Sequence, residues 1–249
     1  MGVVRPAEQQ SRIAARRVAL LEKVDYRLAE TPAEREAIYR LRYRAYLKEG
    51  AIDANSSGIV TDRYDDLPNS WIFGVFYEGE LSSSLRITVA SPDHHDCPSM
   101  DVFPDFLQPW LAEGKVIVDP TRFVADPTSA NRLPELPYLT LRLAYVSCEY
   151  FNADIGLASV RTEHQAFYRR VMMRSICESR PYPGLKKPIG LMEIDFPAMH
   201  DKLFARYPFL RSSESERRSL FEPATGVPNL TLAEAPNLVP IAPLGRTCL

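Results

Sequence analysis

The sequence predicts an α/β (α+β) fold built on a central mixed, mostly antiparallel twisted sheet flanked by helices. Three observations carry this. Apolar periodicity switches between 3.6 and two along the chain, in the order helix, hairpin, strand, helix, strand, helix, strand. The hairpin within residues 71–90 is antiparallel by construction, which excludes a purely doubly wound sheet. The chain has 249 residues, of which 45% are hydrophobic and 25% charged. That composition supplies one large core with room for a small appendage.

Taken in order, residues 7–22 read as an N-terminal helix, polar first and then apolar at Val18, Leu20 and Leu21, and residues 1–24 as an N-terminal helical segment. Asp25 to Ala29 reads as a short strand. Thr31-Pro32-Ala33-Glu34 is a capping box with proline at the first helical position, opening a helix to about Lys48 with Ile38, Leu41 and Ala45 on one face. Residues 50–70 are polar and irregular. Trp71–Tyr77 and Leu81–Ala90 flank Glu78-Gly79-Glu80 as a hairpin. In the second strand Leu81, Leu85, Ile87 and Val89 alternate with Ser82, Ser84, Arg86 and Thr88, so Arg86 leaves the polar face. A proline-rich loop over 91–109 leads to a strand at Lys115–Asp119, continued at Arg122–Val124. Helices are expected over 138–151 and 163–178, and strands over Gly156–Arg161 and Ile189–Asp195. The main domain is thus 25–196, and residues 197–249, with several prolines and little periodicity, read as an extension packed on or trailing from it.

Several classes of function are excluded. A net charge of -2 is wrong for a general nucleic-acid binder. Four scattered cysteines, Cys97, Cys148, Cys177 and Cys248, form no CxxC pair and suit reduced thiols, with Cys148 and Cys177 as core residues. No apolar run is long enough for a bilayer span or a signal-peptide core, so a cytoplasmic location is expected. Asp93-His94-His95-Asp96-Cys97 mimics a metal cluster, but adjacent residues rarely converge on one ion, and no bound metal is expected. The fingerprints of P-loops, dinucleotide folds and serine-hydrolase elbows are missing.

The element order is that of the acetyltransferase-like (GNAT) fold, and His164–Arg170 resembles the last helix of that superfamily. A sharper resemblance is to the autoinducer (acyl-homoserine lactone) synthases and the related long-chain N-acyl amino acid synthases. It rests on Leu41-Arg42-Tyr43-Arg44-Ala45-Tyr46, Asp62-Arg63-Tyr64-Asp65, Ser84-Leu85-Arg86, Met100-Asp101-Val102-Phe103 and Asp119-Pro120-Thr121-Arg122, in shared order and spacing. The resemblance thins beyond about residue 195. In the last motif Asp119 stands where autoinducer synthases usually carry Glu. Two departures matter. Ile52 stands where they carry the Trp that helps bind S-adenosylmethionine, which favours the branch that acylates amino acids, and the long C-terminal extension is more than a minimal autoinducer synthase needs.

The resemblance implies a bacterial N-acyltransferase that moves a long acyl chain from an acyl carrier protein to an amino acid, with tyrosine as the suggested acceptor. The rival readings are an acyl-homoserine lactone synthase and a non-catalytic module that binds an acylated ligand. It implies substrate contacts from Arg42, Tyr46, Asp62, Asp65, Arg86 and Phe103, and an oxyanion donor on the backbone of Arg122, Phe123 and Val124. Asp119 is the candidate base, or else the partner of an ion pair with Arg122 that would make it a weaker base. Arg42, Asp62, Asp65 and Arg86 either surround the amine site or pin the first helix by salt bridges, with Asp62 and Asp65 equally suited to a turn. Tyr168, where the superfamily often keeps a general acid, reads better as packing.

The donor has its own argument. A coenzyme A diphosphate needs a glycine-rich cradle at a helix N-terminus. Between Gly114 and Gly156 there is no glycine, and the loop concerned, Ala125–Pro137, offers none. A carrier-borne phosphopantetheine thioester has one phosphate and asks for less, so no permanently bound cofactor is expected. Carrier proteins are acidic, and residues 161–187 hold seven basic side chains against two acidic ones, a local balance of +5. Arg161, Arg169, Arg170 and Arg174 are the docking candidates, or else one solvated helix face.

Overall fold

The computed structural model describes residues 15–222, of which 15–21 are helical (α1). The rest of the predicted 7–22 helix, Cys248 and the end of the C-terminal extension lie outside the described residues. The sheet has seven strands: β1 (Val24–Leu28), β2 (Ser70–Tyr77), β3 (Glu80–Ala90), β4 (Ile117–Ala125), β5 (Ile155–Val160), β6 (Arg174–Ser175) and β7 (Gly190–Asp195). Their order is β1-β2-β3-β4-β5-β7-β6, antiparallel except between β4 and β5. The parallel pair requires a crossover, supplied by α4 (Pro127–Arg132) and α5 (Leu136–Tyr150). This is the mixed, mostly antiparallel sheet the sequence predicts.

Helices cover both faces. On one side α5 lays Leu139, Leu143 and Val146 against Phe73, Leu85, Ile87 and Val118 in the main core. On the other lie α2 (Pro32–Lys48) and α3 (Pro104–Ala112). The Thr31 box forms as read: Glu34 N–H donates to Thr31 Oγ1, and Thr31 N–H donates to Glu34 Oε2 at 2.9 Å. Ile38, Leu41 and Ala45 are buried, and so is Arg42 between them. The β2–β3 turn puts Glu78 and Gly79 at φ 50° and 86°, the mirror-image turn whose twist suits a hairpin.

Three expectations are corrected. Leu81 does not share the face of Leu85. Val75 pairs with Ser83 and Phe76 with Leu81, so Ser82 is an extra residue, and the bulge turns Leu81 toward Ile38 and Ala45 under α2. The 163–178 helix stops early: α6 is Gln165–Arg170, Met172 takes φ 71°, and Arg174–Ser175 becomes an edge strand. The proline-rich 91–109 segment contains α3, with Pro104 in its first turn, where no N–H is missed. The described part of the extension packs on the domain: α7 (Phe196–Arg206) and α8 (Glu214–Phe221) enter the main core through Phe204 and Phe221, and the turn between them through Phe209. Buried Arg142 of α5 anchors this segment, donating to the carbonyls of Phe209 (2.8 Å) and Arg211 (2.6 Å) and to Glu216.

Candidate active site

β4 and β5 pair only at Ile117–Ile155 and Val118–Gly156, then diverge. A cavity of about 400 Å³ opens beyond this point, with Arg122, Phe123 and Val124 of β4, Ser159 of β5, Tyr46 of α2 and Tyr168 of α6 among its walls. β4 carries a second irregularity here. Ser84 pairs with Val124 but Arg86 with Thr121, so Leu85 faces both Arg122 and Phe123. Arg122 takes φ 54°, and a bulge of this kind leaves one residue outside the ladder. Of the sequence candidates, Arg122, Phe123, Val124 and Tyr46 therefore meet at the cavity. Phe103 does not: it is fully buried at the start of α3, packed with Leu107.

Arg42, Asp62, Asp65, Arg86 and Arg122 form one charged cluster under α2. Arg42 donates to both oxygens of Asp65 at 2.9 Å. Arg86 reaches Asp65 at 2.9 Å, Asp62 at 2.5 Å and the Thr121 hydroxyl at 3.0 Å. Arg122 holds the other Asp62 oxygen at 2.5 Å. Asp62 and Asp65 also cap their own turn, Tyr64 N–H donating to Asp62 and Asp62 N–H to Asp65. Burial pushes the Asp62 carboxyl up, but the Arg86 hydrogen bond and the Arg86 and Arg122 charges outweigh it and hold the group at about 2. Asp65 is likewise lowered: burial opposes, and Arg42 and Arg86 prevail. Three guanidinium groups face two carboxylates, a surplus of one positive charge. Nε and one terminal nitrogen of Arg42, and one terminal nitrogen of Arg86, are buried without a hydrogen-bond partner.

Asp119 is not paired with Arg122, whose charge is spent on Asp62. It is completely buried and bound by Ser99: the Ser99 N–H donates to Oδ2 and the Ser99 hydroxyl to Oδ1, each at 2.8 Å. Ser99 in turn meets the Ser159 hydroxyl at 2.7 Å. Burial raises the Asp119 carboxyl above its ordinary value, although the Ser99 bonds pull the other way. A buried carboxylate with a raised proton affinity is suited to act as a base. Ser99 and Ser159 were not singled out from sequence, and no spacing signal marks them. Burial also raises the Tyr168 hydroxyl, and Tyr182 is raised by burial close to Arg122 and Asp119.

The crossover loop offers little to a diphosphate. The N-terminus of α4 is occupied by Asp126, which accepts from Thr128 N–H (2.9 Å) and Ser129 N–H (3.1 Å). α5 begins beside Glu135, with Pro137 lacking an N–H in its first turn. Among the basic candidates, Arg169 and Arg170 are exposed at the end of α6. Arg161 sits at the cavity wall and is paired with Glu49, and Arg174 is paired with Glu193 at 2.5 Å. Among the described residues no group of three or more His, Cys, Asp or Glu side chains could hold a metal ion, and Asp96 of the 93–97 run binds Arg63 instead. Cys97 and Cys148 are buried, Cys177 half-buried, and all three are free. No described helix is long and apolar enough to cross a membrane.

A helix-flanked sheet of this order, with a bulged fourth strand parting from the fifth around a cleft, defines an acetyltransferase-like N-acyltransferase. The family model described as N-acyl amino acid synthase FeeM matches residues 37–195, and the chain belongs to that family. Among solved structures it is similar to FeeM, an N-acyl amino acid synthase from uncultured soil microbes, with 18% identity and a TM-score of 0.62 over 74% of this chain and 96% of that one. It is also similar to the CoA-dependent acyl-homoserine lactone synthase MesI (18% identity, TM-score 0.51, 76% and 96% covered). A third similar structure is the AHL synthase LasI (13%, 0.53, 68% and 89%). No curated protein matches the chain. The resemblance read from the five motifs is thus to the right family, and the chain catalyses acyl transfer.

Proposed function

We propose that this enzyme transfers a long-chain acyl group from the phosphopantetheine thioester of an acyl carrier protein to the amine of a free α-amino acid, tyrosine being the acceptor that the family resemblance suggests. The observation that carries the donor assignment is the crossover: a carboxylate already fills the α4 N-terminus, and a proline and a glutamate stand at that of α5. A coenzyme A diphosphate laid there would meet negative charge where it needs amide donors. The exposed Arg169 and Arg170 fit an acidic carrier.

The cluster's surplus positive charge, and Arg122 as the cluster arginine that lines the cavity, support an acceptor that brings a carboxylate. The amine attacks the thioester carbon, the oxyanion is held by the bulged peptide at Arg122–Phe123, and the pantetheine sulfur leaves as thiolate. Asp119 takes the amine's proton. No covalent enzyme intermediate is required.

The test is incubation with matched acyl chains on carrier protein and on coenzyme A, with tyrosine, tyramine and S-adenosylmethionine as acceptors, read by mass spectrometry. Acyl-tyrosine formed from the carrier donor is expected. Losing the carboxylate in tyramine should lower kcat/KM by about 10- to 150-fold, the worth of ~1.5–3 kcal/mol for a hydrogen bond to a charged group. Equal use of acyl-CoA overturns the donor assignment, and a lactone as product overturns the acceptor.

A further inference from the structure

Asp119 has no direct line to the cleft. It is completely buried, whereas its neighbours Pro120 and Thr121 reach the cavity wall. A base in that position needs an intermediary, and the structure supplies an ordered one. Ser99 has one hydroxyl hydrogen, directed at Asp119 Oδ1 at 2.8 Å. With Asp119 ionised, as a base must be, its oxygens only accept, so in the 2.7 Å contact between Ser99 and Ser159 it is Ser99 that accepts and Ser159 that donates. That leaves the lone pairs of Ser159 for a donor arriving in the cavity it lines. Both termini of the chain are fixed: the Ser99 N–H holds Asp119 Oδ2 at 2.8 Å, and Ser159 sits on β5 paired opposite Leu191 of β7. The geometry comes from the splay itself, because Asp119 and Ser159 follow the last paired residues of the two strands, Val118 and Gly156, and project to the face that Ser99 covers.

We infer that Ser159 and Ser99 form a hydroxyl relay that carries the proton of the attacking amine out of the cleft to Asp119. The inference rests on the acyl-transfer reading above. As the amine nitrogen bonds to the thioester carbon and the carbon–sulfur bond breaks, the nitrogen gives its surplus proton to Ser159 Oγ. Ser159 passes its own proton to Ser99 Oγ, and Ser99 passes its own to Asp119, which ends as a neutral carboxylic acid. The same chain run backward returns that proton to the departing thiolate, so charge and atoms balance over one turnover. Ser159 is the catalytic group that touches the amine; Ser99 acts through it and through Asp119.

The test is single-turnover kinetics in mixtures of light and heavy water, for wild type, Ser159→Ala and Ser159→Thr, with thermal melts to confirm folding. Wild type should show a rate that bows downward with deuterium fraction, the mark of several protons moving together. Ser159→Ala should be slower by about 10²-fold at neutral pH, the usual worth of positioned proton transfer, with a linear dependence on deuterium and a rate that climbs as pH rises. Ser159→Thr, which keeps the hydroxyl, should restore most of the rate and the bowed dependence. A linear dependence in wild type overturns the relay even if no variant folds, as does Ser159→Ala turning over at wild-type speed. Wild type giving no acyl-amine with any donor would remove the reaction itself, an outcome distinct from a working enzyme indifferent to Ser159.

Discussion

Asp119→Asn separates what this carboxylate does for the reaction from what it does for the fold. The substitution keeps the side-chain shape. The Ser99 N–H can still donate to the remaining oxygen, and the new amide N–H can donate to Ser99 Oγ, so both 2.8 Å contacts survive with one polarity reversed. Burial raises the Asp119 carboxyl, which means its ionised form is disfavoured inside the fold. The native state then holds the proton at pH values where the unfolded chain, with an ordinary value near 3.9, has lost it. Stability accordingly falls as pH rises through the raised value, and a neutral Asn escapes that loss. Relieving an incompletely solvated charge contributes on the order of 1 kcal/mol or more, equivalent to about 2–4 °C in Tm per kcal/mol for a domain of this size.

Activity should move in the opposite direction. Loss of the base slows the chemical step about 10²- to 10⁴-fold, or about 2.7–5.5 kcal/mol. The reversed hydrogen bond also turns Ser99 from donor to acceptor at the inner end of the relay. Melting curves from pH 5 to 9 and single-turnover rates on the same samples are the assay. The expected pattern is a variant that melts above wild type by a margin that widens as pH rises to the raised value and is level beyond it, and that barely turns over. A variant melting below wild type at neutral pH would show that the carboxylate stabilises the fold, and wild-type turnover would take Asp119 out of the proton's path.

Arg86→Ala leaves Asp62 and the fully buried Asp65 facing fewer charges, and breaking the buried Arg86–Asp65 pair should destabilise by about 3–5 kcal/mol in denaturant unfolding; an unchanged midpoint would make the cluster incidental. Asp62 lies below its unfolded value, so its contribution is present above about pH 4 and lost as pH falls toward about 2. The Tm gap between wild type and Asp62→Asn should therefore close over that window, and a gap independent of pH would count against the ion pairs. Phe221→Ala removes a ring within 5.1–6.0 Å of Trp71, Phe73, Tyr150 and Phe151, and should cost about 3–5 kcal/mol if α8 belongs to the core. Arg169→Glu combined with Arg170→Glu should raise the KM for carrier-bound substrate at low salt while leaving kcat and stability near wild type; a KM that stays put would place docking elsewhere.

The sequence disclosed the elements with strong local signatures and missed those that depend on distant partners. The Thr31 box, the Glu78-Gly79 turn and the periodic face of α5 are each written in a few adjacent residues, and each is found. α7 and α8 are short, flanked by prolines, and stabilised by Arg142 donating to carbonyls nearly 70 positions away, so no window of local sequence contains the reason for their position. In Ser82-Ser83-Ser84 nothing marks which serine is the extra one, yet that choice decides which face Leu81 takes. The site shows the same division. Arg42, Asp62, Asp65, Arg86 and Arg122 were visible as motif residues, but which acid meets which base was not, and Arg122 chooses Asp62 over the nearer Asp119. Ser99 lay in a segment without periodicity, and its importance arises only because that segment folds back over β4.

Arg122's choice has a consequence for the chemistry. Had it paired with Asp119, that carboxyl would have been acidified and tied to a cation; as it is, burial outweighs the Ser99 hydrogen bonds and the Arg86 charge, and the carboxyl stays raised. The same bulge that turns the Arg122 side chain toward Asp62 also breaks the β3–β4 ladder at Arg122–Phe123, on the strand edge β5 has left. On the function proposed above, one local irregularity thus does two things: it frees a peptide group for the oxyanion and commits the Arg122 guanidinium to Asp62 rather than to the base. Two carboxylates thereby acquire opposite proton affinities, Asp62 low between two arginines and Asp119 high where burial outweighs Ser99 and Arg86, so that one stays a fixed charge while the other is suited to take up a proton.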